Sequence, residues 1–196
     1  MPYQILSHSA EINHFNIAMP LLVLPHAKCL FVESPQTLSI DQIKHKMIQA
    51  LSVLEYLHKA GWLHADLKAE HFVEDNSYSK LIDFEQSIKI EDVQNTKALN
   101  ATPRYMAPEL FHAEAKSIES DIYALGIIFY EWLKQERLFA NNYYDWAVLH
   151  CQKLEIELPE AYLCFKSTLN AMLHKQKKLR LSDISALKIG LITENV

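Results

Sequence analysis

The sequence predicts a mainly α (α+β) fold, in which a helical bundle carries one small β-hairpin. Apolar residues repeat at helical spacing along one stretch: Ile40, Ile43, Met47, Leu51, Leu54 and Leu57. Residues 118–133 are apolar on nearly every side, which is typical of a helix at the centre of a core. The pairs Phe72–Val73 and Leu81–Ile82 flank the polar residues 75–77, and this pattern predicts the hairpin.

Length and composition indicate one globular domain. The chain has 196 residues, of which 49% are hydrophobic and 22% charged, and these are ordinary values for a globular domain. The net charge of -5 lacks the basic excess of a nucleic-acid-binding protein. No basic residue precedes Lys28, and no apolar run is long enough to cross a bilayer. We therefore expect neither nucleic acid nor a membrane as a partner.

The cysteines indicate a reducing compartment. Cys29, Cys151 and Cys164 are odd in number, lie far apart and form no CxxC motif. This pattern argues against a disulfide framework or a zinc site. Together with the composition, it predicts a cytoplasmic location.

The first 60 residues are predicted to hold short strands, turns and then a long helix. Four prolines interrupt residues 1–37 and favour strands and turns over a helix: Pro2, Pro20, Pro25 and Pro35. Ser39 is the expected N-cap of the helix, and Gln42 is its capping-box partner. Gly61 is expected just beyond the C-terminal end of the helix, where glycine accepts a left-handed backbone.

The second half of the chain is predicted to hold a long loop and three further helices beside the central one. Residues 84–106 have few periodic apolar positions and are expected to form a functional loop. One helix is predicted within residues 142–153, and another begins at Pro159. The latter carries four apolar residues, namely Leu163, Leu169, Met172 and Leu173. Ser182 is the expected cap of the last helix, which ends near Gly190.

Two aspartates and a lysine form a set suited to phosphoryl transfer. Asp66 and Lys68 lie two residues apart in a polar stretch, where a carboxylate can take a hydroxyl proton and an ammonium can neutralise phosphate. Asp83 follows an apolar pair, and a carboxylate at a strand end can hold Mg²⁺ beside phosphate oxygens. Singly, such an aspartate is more often a turn residue, so the order and spacing carry the prediction.

Four ordered motifs carry a family resemblance. His64–His71 is similar to the catalytic loop HRDLKPEN, and Asp83–Glu85 is similar to the metal-binding DFG. Ala101–Glu109 is similar to GTPRYMAPE, and Asp121–Gly126 to the central-helix motif D-x-W-S-x-G. The chain therefore resembles the C-terminal lobe of a eukaryotic-like Ser/Thr protein kinase over roughly residues 38–190.

This resemblance implies a role for each matching residue of the active site. Asp66 would be the catalytic base, and Lys68 would stabilise the transferring phosphoryl group. Lys68 together with Thr102 would favour Ser/Thr over Tyr substrates. Asp83 would chelate Mg²⁺, with His71 as a second candidate metal ligand. Lys68, His71 and Asp83 would together contact ATP and its metal.

The resemblance also implies structural roles. His64 and Phe84 would belong to a stacked hydrophobic spine, and Asp121 would hold the backbone of the catalytic loop. Glu109 and Arg180 would form a buried ion pair, in which the loss of one partner costs about 3–5 kcal/mol.

Three residues depart from the family pattern. Ala65 replaces the arginine that ties the catalytic loop to a phosphorylated activation segment, so control by such phosphorylation is not expected. His71 replaces a metal-holding asparagine, and an imidazole suits transition metals better than Mg²⁺. Glu85 replaces the DFG glycine and places a negative charge near the expected phosphate site.

The N-terminal side shows little of the ATP-gripping lobe of such kinases. Gly61 is the first of only three glycines, so no Gly-rich phosphate loop precedes it. Asn13–Ile17 faintly resembles the turn before the fourth strand, and Met19–Leu24 the fifth strand. We therefore expect residues 1–37 to be an N-lobe remnant and hinge, residues 38–196 to be the C-lobe, and the kinase to be degenerate or N-terminally truncated.

Two main functional hypotheses follow. In the first, the protein transfers phosphate from ATP to protein Ser/Thr with the help of Mg²⁺. In the alternative, it is a catalytically impaired pseudokinase that acts as a protein-binding module; a non-functional gene fragment is a third reading. The expected partners are a protein substrate or a protein partner. Self-association is expected through the face that an N-lobe would cover, where apolar residues near Phe84 and Val73 would be exposed.

Overall fold

The computed structural model describes residues 4–6, 21–23, 27–75, 78–95 and 101–193. Within these ranges the strands are β1 (Gln4–Leu6), β2 (Leu21–Val23), β3 (Lys28–Cys29), β4 (Trp62–Leu63), β5 (Phe72–Asp75), β6 (Tyr78–Leu81) and β7 (Ile88–Lys89). The α-helices are α1 (Ile40–Lys59), α2 (Pro108–Phe111), α3 (Ile118–Lys134), α4 (Tyr143–Val148), α5 (Lys166–Met172) and α6 (Ile184–Thr193). This mainly α arrangement with small sheets agrees with the predicted fold class.

Both ends of α1 follow the local sequence signals. The Gln42 backbone N–H donates to Ser39 Oγ at 3.2 Å, and the Ser39 N–H donates to Gln42 Oε1 at 2.8 Å. This reciprocal capping box satisfies two N–H groups that the helix itself cannot bond. Gly61 follows the helix with φ +84°, in the left-handed region that glycine enters at little cost. The predicted start and end of this helix are confirmed.

The predicted hairpin is formed by β5 and β6. The two strands pair antiparallel, with Phe72 opposite Leu81, and β3 pairs with the other edge of β5. The predicted turn residues 76–77 lie outside the described residues. Separate two-stranded sheets join β1 to β2 and β4 to β7, so residues 1–37 contain the short strands that the prolines favour. The Asn13–Ile17 resemblance lies outside the described residues.

The central helix α3 lies in the middle of the core, as its apolar sequence predicts. Of its 17 residues, 13 are buried, and the helix packs against α5. Gly126 allows this close approach, because a Cβ atom at that position would lie 2.9 Å from Leu173 Cδ2. A helix that is buried on nearly all sides can move very little. It therefore fixes the position of the residues that its N-terminal turn contacts.

The predictions for the last helices are only partly correct. The segment after Pro159 begins as a 3-10 helix, Glu160–Phe165, and continues as α5. Leu163 is exposed because the tighter 3-10 turn rotates it away from the core face that holds Leu169. The expected cap Ser182 is wrong. Instead, Asp183 Oδ1 accepts from the N–H groups of Ser185 at 2.9 Å and Ala186 at 3.2 Å.

The other helical predictions hold in outline. The helix expected within residues 142–153 is α4, continued by a π-helical turn over Leu149–Lys153. The last helix runs through Gly190 to Thr193 rather than ending at the glycine. Among the described helices, none is both long enough and apolar enough to cross a membrane.

Candidate active site

The segment between β4 and β5 is shaped by the first turn of α3. The backbone N–H groups of His64 and Ala65 donate to the two carboxylate oxygens of Asp121, at 2.9 and 3.0 Å. His58 Nε2 lies 3.0 Å from the same carboxylate. Ala65 adopts φ 70°, a left-handed conformation that costs a non-glycine residue about 1–2 kcal/mol. The buried Asp121 therefore holds a strained turn directly before Asp66.

Both carboxylate oxygens of Asp66 are engaged. Oδ1 accepts from the backbone N–H and the hydroxyl of Thr102, both at 2.9 Å, and Oδ2 lies 3.0 Å from Lys68 Nζ. Burial raises the pKa of Asp66, but the hydrogen bonds from Lys68 and Thr102 outweigh burial and hold the pKa below its ordinary value. The side chain is thus an ionised, oriented carboxylate in contact with an alcohol and an ammonium.

His71 and Asp83 form a second group beside Asp66. His71 Nε2 lies 3.2 Å from Asp83 Oδ2, and the Asp83 side chain is 48% exposed. Burial and the neighbouring His64 lower the pKa of His71, and the Asp83 carboxylate opposes them. Asp83 has φ 65°, so the backbone also takes a left-handed conformation at this end of the site. Strained residues of this kind often occur at functional sites.

Three rings, those of His64, His71 and Phe84, contact one another in tilted arrangements at this site. The His64 ring lies 5.2 Å from the His71 ring and 5.6 Å from the Phe84 ring. His64 is fully buried, and its Nε2 lies 3.1 Å from the Ile82 carbonyl oxygen. Phe84 is 49% exposed, as expected from the sequence. Val73, which the sequence also predicts to be exposed, is instead buried on β5, the middle strand of the three-stranded sheet.

The Glu109 and Arg180 side chains form a buried bidentate ion pair. Arg180 donates to the two Glu109 oxygens at 2.7 and 2.8 Å, and the Ser120 hydroxyl donates to one of them at 3.0 Å. Burial raises the pKa of Glu109, but the Arg180 hydrogen bonds outweigh burial, so the pKa lies below its ordinary value. The pair connects α2 to the segment that follows α5.

A family model for the protein kinase domain matches residues 12–190 of the chain. The chain belongs to the protein kinase family. The kinase domain is 33% identical over 159 residues to the serine/threonine-protein kinase Nek11 of Macaca fascicularis. The matched region covers 80% of this chain and 25% of that relative. It is 32% identical over 157 residues to mitogen-activated protein kinase kinase kinase 3 of Arabidopsis thaliana, and this match covers 74% of this chain and 24% of that relative.

A probable serine/threonine-protein kinase PLK of Dictyostelium discoideum is 36% identical over 93 residues, which cover 47% of this chain and 10% of that relative. The kinase domain therefore spans a quarter or less of the length of these curated relatives, and it also covers 25% of the human serine/threonine-protein kinase Nek11.

The structure brings the predicted site residues of the kinase domain together in two neighbouring groups. Asp66, Lys68 and Thr102 form one hydrogen-bonded group, and His71 with Asp83 forms the other. Lys28, the one lysine ahead of α1 in the sequence, is exposed on β3. Across the described ranges, no group of three or more His, Cys, Asp or Glu side chains is arranged to hold a metal ion.

Sequence reasoning missed a buried cation in this region. Lys116, which lies just before α3, donates from Nζ to the Ala65 carbonyl oxygen at 2.8 Å. It matches none of the motifs, and nothing in its local sequence distinguishes it from a surface lysine. Its role depends on a contact across 51 residues of chain.

Proposed function

We propose that this kinase domain transfers the terminal phosphoryl group of ATP to Ser or Thr hydroxyls of protein substrates, with Asp66 as the catalytic base. One observation carries the proposal most directly. The ionised Asp66 already accepts a hydrogen bond from the Thr102 hydroxyl at 2.9 Å, so its carboxylate can orient an alcohol of the kind it would deprotonate.

Lys68 would act on the charge of the transferring group. Its ammonium lies 3.0 Å from Asp66 Oδ2, and hydrogen bonding to Asp66 raises the pKa of Lys68, so the side chain stays cationic. A fixed cation beside the base stabilises negative charge on phosphoryl oxygens as the transfer proceeds. Positioning and charge stabilisation supply most of the catalysis in this type of reaction.

Asp83 fits Mg²⁺ as its protein ligand. Mg²⁺ is commonly held by one or two carboxylates together with substrate phosphates and water, and the half-exposed Asp83 offers such a carboxylate. When bound, Mg²⁺ would neutralise phosphate charge and orient the phosphates. His71 would bind at the same place or hold Asp83 in position, since its Nε2 is 3.2 Å from Asp83 Oδ2.

The remaining matched residues would keep these groups in place. We assign Asp121 to holding the catalytic-loop backbone and His64 with Phe84 to the ring cluster. Glu109 and Arg180 would form the ion pair that fixes the segment after Thr102. The hydrogen bonds and ring contacts described above support each assignment. We also retain the division into an N-lobe remnant and hinge (residues 1–37) and a C-lobe (residues 38–196) as a proposal.

Thermal shift with Mg-ATP tests the proposal. We expect Mg-ATP to raise the Tm of the wild type and to have a much smaller effect on Asp83→Asn, because the variant loses a metal ligand. Asp92→Asn, at an exposed aspartate in the 3-10 helix Ile90–Asn95 that follows β7, is the matched control and should behave as the wild type. In a phosphotransfer assay, Asp66→Asn should lower kcat by ~10²-fold or more.

The outcomes separate the two functional hypotheses. No shift in any variant would contradict ATP binding and favour the pseudokinase alternative. An equal shift in the wild type and Asp83→Asn would place the nucleotide elsewhere. A shift without phosphotransfer would mean that the domain binds ATP but acts as a binding module.

We further propose that a protein partner or a second copy of the chain binds at the exposed Phe84, and that the protein works in the cytoplasm. The 49% exposure of this aromatic ring beside the groups proposed to face ATP supports binding at this surface. The three cysteines, which form no disulfide, support the cytoplasmic location. Sedimentation velocity should show concentration-dependent association that Phe84→Ser weakens. Strictly monomeric behaviour at high micromolar concentration would contradict self-association.

A further inference from the structure

Lys116 is a buried lysine that touches the catalytic loop but matches no motif. It lies one residue before Ser117, the N-cap of α3, and is only 7% exposed. Its Nζ donates to the Ala65 carbonyl oxygen at 2.8 Å. Removing an ammonium group from water costs free energy. The buried Lys116 therefore needs favourable polar contacts inside the protein that offset this cost.

Lys116 and Asp121 hold Ala65 from its two sides. The Ala65 N–H donates to Asp121 Oδ1 at 3.0 Å, while the Ala65 carbonyl accepts from Lys116. The peptide groups before and after the left-handed Ala65 are therefore both fixed, and the second of them links directly to Asp66. This double contact explains how a non-glycine residue keeps φ 70° at this position.

The side chain of Ala65 itself contributes no charge to the loop. Its methyl group belongs to a small apolar cluster with Leu63 and Val93. Besides Lys68 on the loop itself, a second cation, Lys116, reaches the loop from the residue before the N-cap of α3. Burial lowers the pKa of Lys116, and the Asp66 and Asp121 carboxylates oppose this effect.

Lys116, Asp66 and Asp121 also line one small cavity of about 20 Å³ behind the catalytic loop. Thr102, which hydrogen-bonds to Asp66, lines the same cavity. Lys116 thus lies on the inner side of the loop, while Lys68 contacts Asp66 directly. The two lysines differ in what they hold: Lys68 holds the carboxylate, and Lys116 holds the backbone that carries it.

We propose that Lys116 is a positioning residue for Asp66, which fixes the peptide between Ala65 and Asp66 and so sets the direction of the catalytic carboxylate. The part about catalysis rests on the proposed function, in which Asp66 is the base. The structural part, that Lys116 orders residues 64–66, is independent of that function.

The test compares Lys116→Met, Lys116→Arg and the control Lys134→Met, which removes a lysine near the C-terminal end of α3 that pairs with Glu136. We expect Lys116→Met to lower kcat by ~10- to 100-fold with little change in KM, because a small misplacement of a catalytic group has effects of this size. Lys116→Arg should recover much of kcat, since a guanidinium can also donate to the Ala65 carbonyl.

Amide hydrogen exchange provides a readout that does not need activity. Lys116→Met should accelerate exchange at His64, Ala65 and Asp66 by ~10-fold or more, with the interior of α3 unchanged. The proposal is overturned if kcat and local exchange stay at wild-type values, or if exchange accelerates evenly throughout the domain. If the wild type transfers no phosphate but Lys116→Met still loosens residues 64–66, the proposed function fails and the positioning of the loop by Lys116 stands.

Discussion

At the scale of single residues, the site depends on two strained backbone positions. Ala65 and Asp83 have φ values of 70° and 65°, and each adjoins or forms part of a group proposed for catalysis. Such conformations persist only where the surroundings over-determine them. At Ala65 the surroundings are the Asp121 carboxylate and the Lys116 ammonium. The strain thus falls within or next to the groups proposed for catalysis.

The first prediction concerns His71, whose Nε2 lies 3.2 Å from Asp83 Oδ2. We expect His71→Asn to raise the Mg²⁺ affinity of the ATP complex several-fold, because Mg²⁺ prefers oxygen ligands to imidazole nitrogen. Isothermal titration calorimetry, with Mg²⁺ titrated into the protein in the presence of ATP, measures the change in Mg²⁺ affinity. The exposed His45→Asn on α1 is the matched control. Unchanged Mg²⁺ binding in His71→Asn would count against an active-site role for this histidine. Weaker Mg²⁺ binding would contradict the expected gain and show that His71 itself helps to hold the metal or Asp83.

At the scale of elements, close packing of helices against α3 sets the positions of the loops. The N-terminal turn of α3 holds Asp121 against the backbone of His64 and Ala65, and the middle of the helix packs on α5. A helix that is buried around its circumference cannot shift without disturbing several contacts. Gly126 at the α3–α5 crossing and the Glu55–Lys188 ion pair between α1 and α6 both contribute to this packing, and each can be tested.

The second prediction compares two glycines in helices. A Cβ on Gly126 would lie 2.9 Å from Leu173 Cδ2 and 3.1 Å from Met172 Cβ, so Gly126→Ala should destabilise the fold by about 1–3 kcal/mol. A Cβ on Gly190 would meet only Thr168 Oγ1 at 3.4 Å, so Gly190→Ala should stabilise α6 by up to about 1 kcal/mol. Urea denaturation measures both. Changes of the same sign would contradict this account of the crossing.

The third prediction is a pH dependence at the α1–α6 contact. Hydrogen bonds from Lys188 and Lys59 lower the pKa of Glu55 to about 2, from an ordinary value of 4.5. The folded form therefore holds the ionised carboxylate more strongly than the unfolded chain does. The contribution is fully present above about pH 4.5 and is lost as the pH falls toward 2.

This contribution should be small, because Lys59 is 71% exposed and salt screens surface pairs. We expect the free energy of unfolding of Glu55→Gln to be less pH-dependent than that of the wild type between these limits, by less than about 1 kcal/mol. Parallel pH profiles for the two proteins would show that Glu55 makes no such contribution.

At the scale of the whole molecule, a few contacts join distant parts of the chain. Glu109 and Arg180 are 71 residues apart in sequence, and Trp132 Nε1 donates to the Glu33 carbonyl across 99 residues, at 2.8 Å. The first contact fixes the segment after Thr102 to the end of the domain. The second fixes the segment before α1 to the central helix.

The fourth prediction concerns the buried ion pair. Arg180→Met would leave the Glu109 carboxylate buried without its partner, and we expect a loss of about 3–5 kcal/mol in the free energy of unfolding. The double variant Glu109→Gln with Arg180→Met should recover part of this loss, since no buried charge then remains. Lys178→Met, an exposed neighbour, is the control. A double variant as unstable as the sum of the single ones would contradict a coupled pair.

The sequence by itself determined the elements whose signals lie within one or two turns. The capping box at Ser39, the glycine after α1 and the apolar periodicity of α3 each involve residues close in sequence, so local geometry decides them. The order and spacing of the motifs likewise led to the proposal that Asp66, Lys68 and Asp83 serve one site; Asp66 contacts Lys68, and Asp83 contacts His71. The capping and periodicity signals act within short chain segments, which is why the sequence alone is enough to determine these elements.

Only the tertiary structure decided which polar groups meet across the fold. Lys116 reaches Ala65 across 51 residues, and no local pattern distinguishes this lysine from a solvated one. The capping of α6 by Asp183 and the burial of Val73 between two strands also depend on how the segments are placed in space. A side chain's role changes with burial and partners, and these arise only when distant segments pack together.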